Sequence, residues 1–455
     1  MRHTFSILAV AIGLACLPVS LLAAEARKPN FIYFLSDDEG YGELGAQGNK
    51  EIPTPHIDSI AAGGIRFTQG YVSGPYCSPT RAGLMTGRYQ TRFGHEWNGN
   101  GPNFGLPLTE TTIANRLKDL GYATCAVGKW HLGEADQFLP TKRGFDEFYG
   151  TKANTPFFHP TIIDTRVSTV GVPITDDNFY TTDAYAERAC DWIEKNKEKP
   201  FFLYLPFNAQ HAPLQATAKY LDRFPNITDE KRKIFAAMMS AKDDAVGKVL
   251  AKLKEIGQFE NTLVVYHADN GGPTPSTTSK NDPLRGYKAQ TWEGGIRVPF
   301  MLQWPAKLPA GKVYEHPVIQ LDMLPTFVSA AGGEVKADWK LDGVNLLPYL
   351  EGKFSDRPHA TLYWRFGEQM AIRHGDYKLV KAVGITEPAL FNLATDIGEK
   401  NDLIATEGEK AKELSGIWDK WNAEQEPARW RPNPNNKKKA GKKAKAAAQA
   451  QQGRG

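Results

Sequence analysis

Asn30-Phe31-Ile32-Tyr33-Phe34-Leu35-Ser36-Asp37-Asp38 passes without a break from apolar residues into two adjacent carboxylates. A short apolar run with no polar alternation reads as a strand buried on both faces, here residues 30–35. Three more such runs lie at 122–127, 200–206 and 262–267. Helical periodicity occupies 111–120, 182–196 and 229–256. Strands alternating with helices predict an α/β fold in which a large, mostly parallel central sheet is flanked by helices. Each apolar run gives way to polar groups: Asp37-Asp38, Lys129-Trp130-His131, Gln210-His211 and Asp269-Asn270-Gly271-Gly272. Ligands of open α/β sheets bind beyond the carboxyl ends of the strands, so these four endings are expected to meet in one crevice.

Past residue 330 the texture changes. Strand-like runs at 362–366, 370–373 and 377–381 are separated by turns such as His374-Gly375-Asp376, and 409–421 has a helical pattern. They predict a smaller C-terminal domain with a short antiparallel sheet and a helix. The expected division is 25–330 for the large domain and 331–430 for the small one. Residues 1–24 read as a signal peptide: a polar start at Arg2-His3, an apolar run over 5–22, and small residues in Leu22-Ala23-Ala24-Glu25-Ala26. A retained transmembrane anchor is the competing reading, and Gly13 argues against lipidation at Cys16. Cleavage would give an exported protein, periplasmic or secreted, with no membrane span.

Residues 431–455 carry eight basic side chains and no acidic ones, in a Lys/Ala/Gln-biased stretch that reads as a disordered tail. Setting aside those eight and Arg2 leaves 46 basic against 51 acidic side chains. The overall charge of +4 therefore belongs to the tail. A solvated tail is the simplest reading, and no nucleic-acid partner is expected.

Signal cleavage would leave Cys77, Cys125 and Cys190, too few for a disulfide scaffold. One pair could bridge, which leaves an odd thiol. Cys77 lies in Gly74-Pro75-Tyr76-Cys77-Ser78-Pro79-Thr80-Arg81-Ala82-Gly83-Leu84-Met85. Pro79 suits the first turn of a helix, which would put Cys77 at a helix N-terminus that favours anions. Arg81 would add a fixed positive charge, so Cys77 is expected to be a nucleophile rather than a small buried hydrophobe. Asp37, Asp38, Asp269 and Asn270 bring oxygens from two strand ends. That set suits a hard divalent cation such as Ca²⁺ better than zinc, for which no His/Cys spacing is present.

Cys77-x-Pro79-x-Arg81, followed by Leu84-Met85-Thr86-Gly87-Arg88, resembles the signature of the formylglycine-dependent (type I) sulfatases. Gly121-Tyr122-Ala123-Thr124-Cys125-Ala126-Val127-Gly128-Lys129-Trp130-His131-Leu132-Gly133 resembles that family's second signature. Lys288 and Glu293-Gly294-Gly295-Ile296-Arg297-Val298-Pro299 look like a third. The resemblance runs from about residue 28 to 425 and implies an alkaline-phosphatase-like fold and a sulfuric ester hydrolase.

The resemblance implies that Asp37, Asp38, Asp269 and Asn270 hold Ca²⁺. It implies that Cys77 becomes 3-oxoalanine (formylglycine), also touching the metal, through a formylglycine-generating or sulfatase-maturating enzyme. Arg81, Lys129, His131, His211 and Lys288 then bind sulfate and move protons. One hydroxyl of the formylglycine hydrate attacks sulfur, with Asp269 as base, and His211 with Lys288 protonates the leaving alcohol. His131 helps the second hydroxyl collapse to the aldehyde and expel sulfate. A further polar residue near the sulfate is left open between Asn154 and His159. Glu293 and Arg297 read as structural, an ion pair or turn support.

The His/aromatic/amide mix of Arg92, His95, Glu96, Trp97 and Asn98 suits a sugar ring, with loop packing the alternative. His95, Glu96 and Trp97 join Asn154 and Arg285 as candidate substrate-binding residues for a sulfated glycan. A phosphate or phosphonate ester hydrolase of the same fold is one rival reading. A non-catalytic sulfated-glycan-binding protein is another, should Cys77 stay unmodified.

Overall fold

The computed structural model describes residues 27–430. The signal-peptide reading, Cys16 and the basic tail lie outside the described residues. The four buried runs form the middle of a ten-stranded sheet, in the spatial order Thr262–Ala268, Asn30–Ser36, Phe201–Pro206, Ala123–Lys129. All four are parallel, with Phe31 opposite both Phe202 and Leu263. Glu147–Thr151 continues the sheet in parallel, and Thr161–Asp164 and Ser168–Pro173 finish that edge antiparallel. On the other side Phe300–Gln303 runs antiparallel to both Thr262–Ala268 and Ile65–Phe67, and Lys312–Tyr314 closes the edge.

Alternate side chains of Asn30–Ser36 enter different layers, as the strand period of two requires. Phe31, Tyr33 and Leu35 join one core, where Phe31 stacks on Phe327 with centroids 4.4 Å apart. Ile32 and Phe34 join the other, beneath the helices Thr181–Asn196 and Glu230–Glu255. Burying each such Phe contributes about 1.5–3 kcal/mol.

Three of the predicted strands extend further than their apolar runs, one of them by two residues. Ala123–Lys129 stays in the ladder through Gly128 and Lys129 because these pair with Gly150 and Thr151. Pairing thus carries Lys129, a charged residue, to the last rung with its side chain fully buried.

The C-terminal part holds four antiparallel strands in sequence order: Thr361–Phe366, Gln369–His374, Tyr377–Lys381 and Ala389–Asn392. The fourth is only four residues long and lacks a clear pattern in the sequence. One face of this sheet receives the helix Gly408–Ala423 through Ala411 and Leu414. The other packs Trp364 and Val380 against Tyr71, Ile319 and Leu321 of the main body. Cys77, Cys125 and Cys190 are all free and buried, so the bridge left open by the cysteine count does not form among them. Among the described residues no helix is long and apolar enough to cross a membrane.

Candidate active site

The four strand ends converge. Asp38 follows Asn30–Ser36 with φ at 64°, a left-handed conformation that Asp tolerates better than most residues. His131 does the same after Ala123–Lys129, at φ 60°. Backbone strain of this kind clusters at functional sites, where surrounding structure holds it in place. With the chain turned at Asp38, ligand atoms of Asp37, Asp38, Asp269 and Cys77 lie within 4.8 Å of one another.

Cys77 opens a ten-residue helix, Cys77–Thr86, every residue of which is buried. Pro79 sits in its first turn, where a missing N–H costs nothing. Gly87 ends it at φ 66°, its N–H bonding Gly83 O at 2.8 Å. Arg81, four residues after Cys77, lies on the same helix face. Its Nε and Nη2 donate to Asp269 Oδ2 at 3.1 and 2.9 Å, and its Nη1 to Lys129 O at 2.8 Å. Lys129 donates to Asp37 Oδ2. Lys288 reaches both Asp38 Oδ1, at 2.5 Å, and Cys77 Sγ, at 3.2 Å.

Three carboxylates therefore share a buried site with three cations, and the balance differs at each. Burial alone would raise the Asp37 carboxyl, but Lys129, His211, Arg81 and Lys288 outweigh it and hold it far below the usual range. Asp269 is pushed up to about 6, by burial first and then by the Asp37 charge, against Arg81. Burial drives His131 well below its ordinary value, with Lys129 and Arg81 adding to it. His211 is also lowered by burial, with Asp38 and Asp37 opposing.

The thiol of Cys77 itself is not activated by its setting. Helix start and arginine predicted an activated nucleophile. Instead burial, Asp269 and Asp37 drive the thiol far above its usual range, because the Arg81 charge is committed to those carboxylates. A thiol held protonated is a poor nucleophile.

The oxygen-rich side of the cluster fits a hard cation. Asn270 donates its Nδ2 to Asp38 Oδ1 at 2.9 Å, while its buried Oδ1 has no hydrogen-bond partner. A buried acceptor left alone is costly, and a cation held by Asp37, Asp38, Asp269 and Asn270 would satisfy it.

His211 closes the site on the solvent side. Its Nδ1 is 2.6 Å from Ala212 O, an acceptor only, so Nδ1 carries the proton. Nε2 then faces Asp38 Oδ2 at 3.6 Å and Asn154 Nδ2 at 3.1 Å. A pocket of about 350 Å³ opens here, lined by Asp38, His211, Lys288 and, among others, Tyr76, Tyr287 and Ser276. Tyr76 forms part of this mouth beneath the Lys288 ammonium, 5.1 Å from its ring centroid.

Other predicted substrate contacts lie elsewhere. His95 is fully buried, bonded to Ser78 Oγ at 2.6 Å and packed by Phe104 and Trp430. Glu96 is buried too, gripping Arg365 at 2.7 Å and Gly367 N at 3.0 Å. Trp97 stacks on Phe366 with centroids 4.0 Å apart. Arg285 lies flat on Trp292, 3.7 Å from its centroid, and donates to Glu399 O. These four side chains are committed to packing or to the small sheet, and none lines the pocket. Asn154 alone of that set touches the cluster, while His159 stands further out beside Asp177.

Sequence reasoning missed Glu39 and Lys242, which form a fully buried ion pair directly behind Asp37-Asp38. Lys242 also donates to Ser36 Oγ at 2.6 Å and to Gln210 Oε1, bracing two strand ends at once. The available signal was a lysine directly after the largely apolar stretch from Phe235 to Ala241 of a helix.

Comparison with known proteins adds two family matches: "Sulfatase" over residues 29–333, and "N-sulphoglucosamine sulphohydrolase, C-terminal" over 287–422. The chain is 35% identical to mouse N-acetylgalactosamine-6-sulfatase over 394 residues, covering 79% of this chain and 73% of that one. It is 35% identical to mouse arylsulfatase J over 337 residues, 71% of this chain but only 56% of that protein. The solved structure of Ps i-CgsB in complex with k-i-k-neocarrahexaose superposes with a TM-score of 0.85 at 36% identity, over 90% of this chain and 96% of that one.

Proposed function

The chain belongs to the sulfatase family and hydrolyses sulfate esters, and from that footing we propose that it desulfates a carbohydrate with a formylglycine made from Cys77 and a bound calcium ion. The observation that carries this reading is the setting of Cys77. Its thiol is held protonated among carboxylates, yet Lys288 reaches its sulfur and the Lys129 charge also acts on it. An oxygen nucleophile in its place would suit both the hard oxygen donors and the cations. Cys77 is wholly buried in the folded chain, so a formylglycine-generating or sulfatase-maturating enzyme would have to act before folding is complete.

The formylglycine hydrate and calcium supply an activated oxygen nucleophile that can also release the sulfate it captures. Lys129 and Lys288 hold the sulfate oxygens, and burial strengthens their attraction for the developing negative charge. Asp269 is placed to take the proton of the attacking hydroxyl. With Nδ1 held by Ala212 O, His211 acts as the acid toward the departing sugar oxygen only when Nε2 is protonated as well, a form that burial disfavours and the Asp38 and Asp37 charges favour. Burial, Lys129 and Arg81 keep His131 neutral, which leaves a ring nitrogen unprotonated for the step that expels sulfate.

The relatives' names support a sugar substrate, as does a pocket mouth that pairs tyrosines with polar groups. Export to the periplasm or medium fits that substrate. Mass spectrometry of the Cys77 peptide tests the chemistry: active protein should show sulfur replaced by oxygen. An intact thiol in fully active material would overturn it.

A further inference from the structure

A second cavity adjoins the catalytic pocket. It measures about 630 Å³ and is lined by Glu134, Lys152, Asn154, Pro156, His159 and Thr161, among others. Asn154 lines this cavity and His211 lines the catalytic pocket, and the two side chains are 3.1 Å apart. The cavities are thus neighbours across the residue assigned to protonate the leaving oxygen.

Its walls continue the geometry of the site. The catalytic groups come from the carboxyl ends of the four central strands. Glu134 follows the last of these, Ala123–Lys129, and Lys152 and Asn154 follow the next strand along, Glu147–Thr151. Thr161, Ile163 and Gly171 come from the edge pair beyond, whose register with Glu147–Thr151 brings Thr161 to the same end of the sheet. The two cavities therefore lie side by side along the strand ends, between the Cys77 cluster and the sheet edge.

The chemistry of this extension is that of a carbohydrate site. Glu134 is in no ion pair among the described residues and offers two acceptor oxygens. The Lys152 ammonium is held by Glu134 O at 2.6 Å and keeps further donors, and Asn154 offers both kinds of group. Pro156 and Ile163 supply apolar surface for a ring face. Opposite charges side by side suit neutral hydroxyls.

We propose that this cavity binds a second sugar unit of the leaving group, so that the enzyme acts on sulfated oligo- or polysaccharide rather than on isolated sugar sulfates. The inference rests on the sulfated-carbohydrate reading above and deepens it.

The test compares para-nitrophenyl sulfate, galactose 6-sulfate, and hexasaccharides from carrageenan and chondroitin sulfate, with Thr161→Trp to fill the cavity and Glu134→Ala to remove its carboxylate. Wild type should favour a hexasaccharide over the sugar sulfate. Each variant should raise the hexasaccharide KM roughly tenfold while its kcat/KM for para-nitrophenyl sulfate stays within about twofold. Equal use of hexasaccharides and galactose 6-sulfate, or variants that leave the hexasaccharide KM unmoved, would overturn the inference and leave the enzyme a sulfatase. If wild type released no sulfate from any of the probes, both readings would fall together.

Discussion

Two buried ion clusters sit about the same central body, and they are built differently. The Cys77 cluster gathers Asp37, Asp38 and Asp269 against Arg81, Lys129 and Lys288, and leaves Asn270 Oδ1 without a partner. The second joins the large domain to the small sheet. There Lys378 bonds Glu293 and Glu399 at 2.9 and 2.8 Å, Glu399 accepts from Glu293 N at 2.7 Å, and Tyr71 and Arg297 cover the far side of Glu293. In this second cluster every carboxylate oxygen faces a cation or another donor, although Glu399 Oε1, 2.8 Å from the Lys378 ammonium, makes no well-directed hydrogen bond. Like charges crowded around an open acceptor call for something from outside, whereas a closed cluster holds two domains in register. Burial, charge and a lone unsatisfied atom do not by themselves mark a functional site, and ligand atoms of Asp37, Asp38 and Asp269 gathered within 4.8 Å of one another are the better sign.

The largest expected effect breaks the first cluster at its centre. Cys77→Ala should lower sulfate release from an aryl sulfate by a factor on the order of 10⁴ or more, with an unchanged unfolding midpoint. The mirror experiment breaks the second. Lys378→Met leaves two buried carboxylates facing each other and should cost roughly 3–5 kcal/mol of stability in denaturant unfolding. Lys378→Met combined with Glu399→Gln should recover part of that loss. If Lys378→Met cost activity but no stability, the division between the two clusters would be wrong.

A smaller effect sharpens the contrast at Asn270. Asn270→Ala should lower kcat/KM roughly a hundredfold, and added calcium should raise the thermal midpoint of wild type but not of this variant. Equal calcium stabilisation of both proteins would remove Asn270 from the cation site.

Much of this was legible in the chain, and for physical reasons. Four parallel strands buried on both faces leave continuous apolar runs, and the residues following each run could only emerge at one edge of the sheet. Hence Asp37, Lys129, His211 and Asp269 could be placed together before any coordinates. Lys288, Glu39 and Lys242 are different. Lys288 lies on a loop, and only the family pattern singled it out. The partners of Glu39 and Lys242 depend on how a helix packs over the sheet, a long-range fact that no local pattern carries.

In the loop after the Cys77 helix the contacts favour the packing alternative. Residue types suited to a sugar, His95, Glu96 and Trp97, are equally suited to seating a second domain. Glu96 bonding Arg365 and Trp97 stacking on Phe366 are contacts to a sheet more than 260 residues away in sequence.

The smallest effect concerns how the closed cluster answers to pH. Burial first, and then the nearby Glu293 charge, push the Glu399 carboxyl up to about 7 from an ordinary value of 4.5, with Lys378 opposing. Glu293 is held near 2 despite its burial, by Lys378, Arg297 and Arg373, so it does not titrate in the same range. Between pH 4.5 and 7 the folded protein keeps a proton on Glu399 that the unfolded chain has released. The folded state binds more protons there, so this group's contribution to stability falls as pH rises through the window and is flat above it. The slope from one such group cannot exceed about 1.4 kcal/mol per pH unit. Glu399→Gln should therefore flatten the pH dependence of stability over that range, leaving sulfate release and its pH profile as in wild type. A variant whose stability falls with pH as steeply as wild type would show that the proton sits elsewhere in the cluster, and a shifted activity profile would show that the two clusters are coupled.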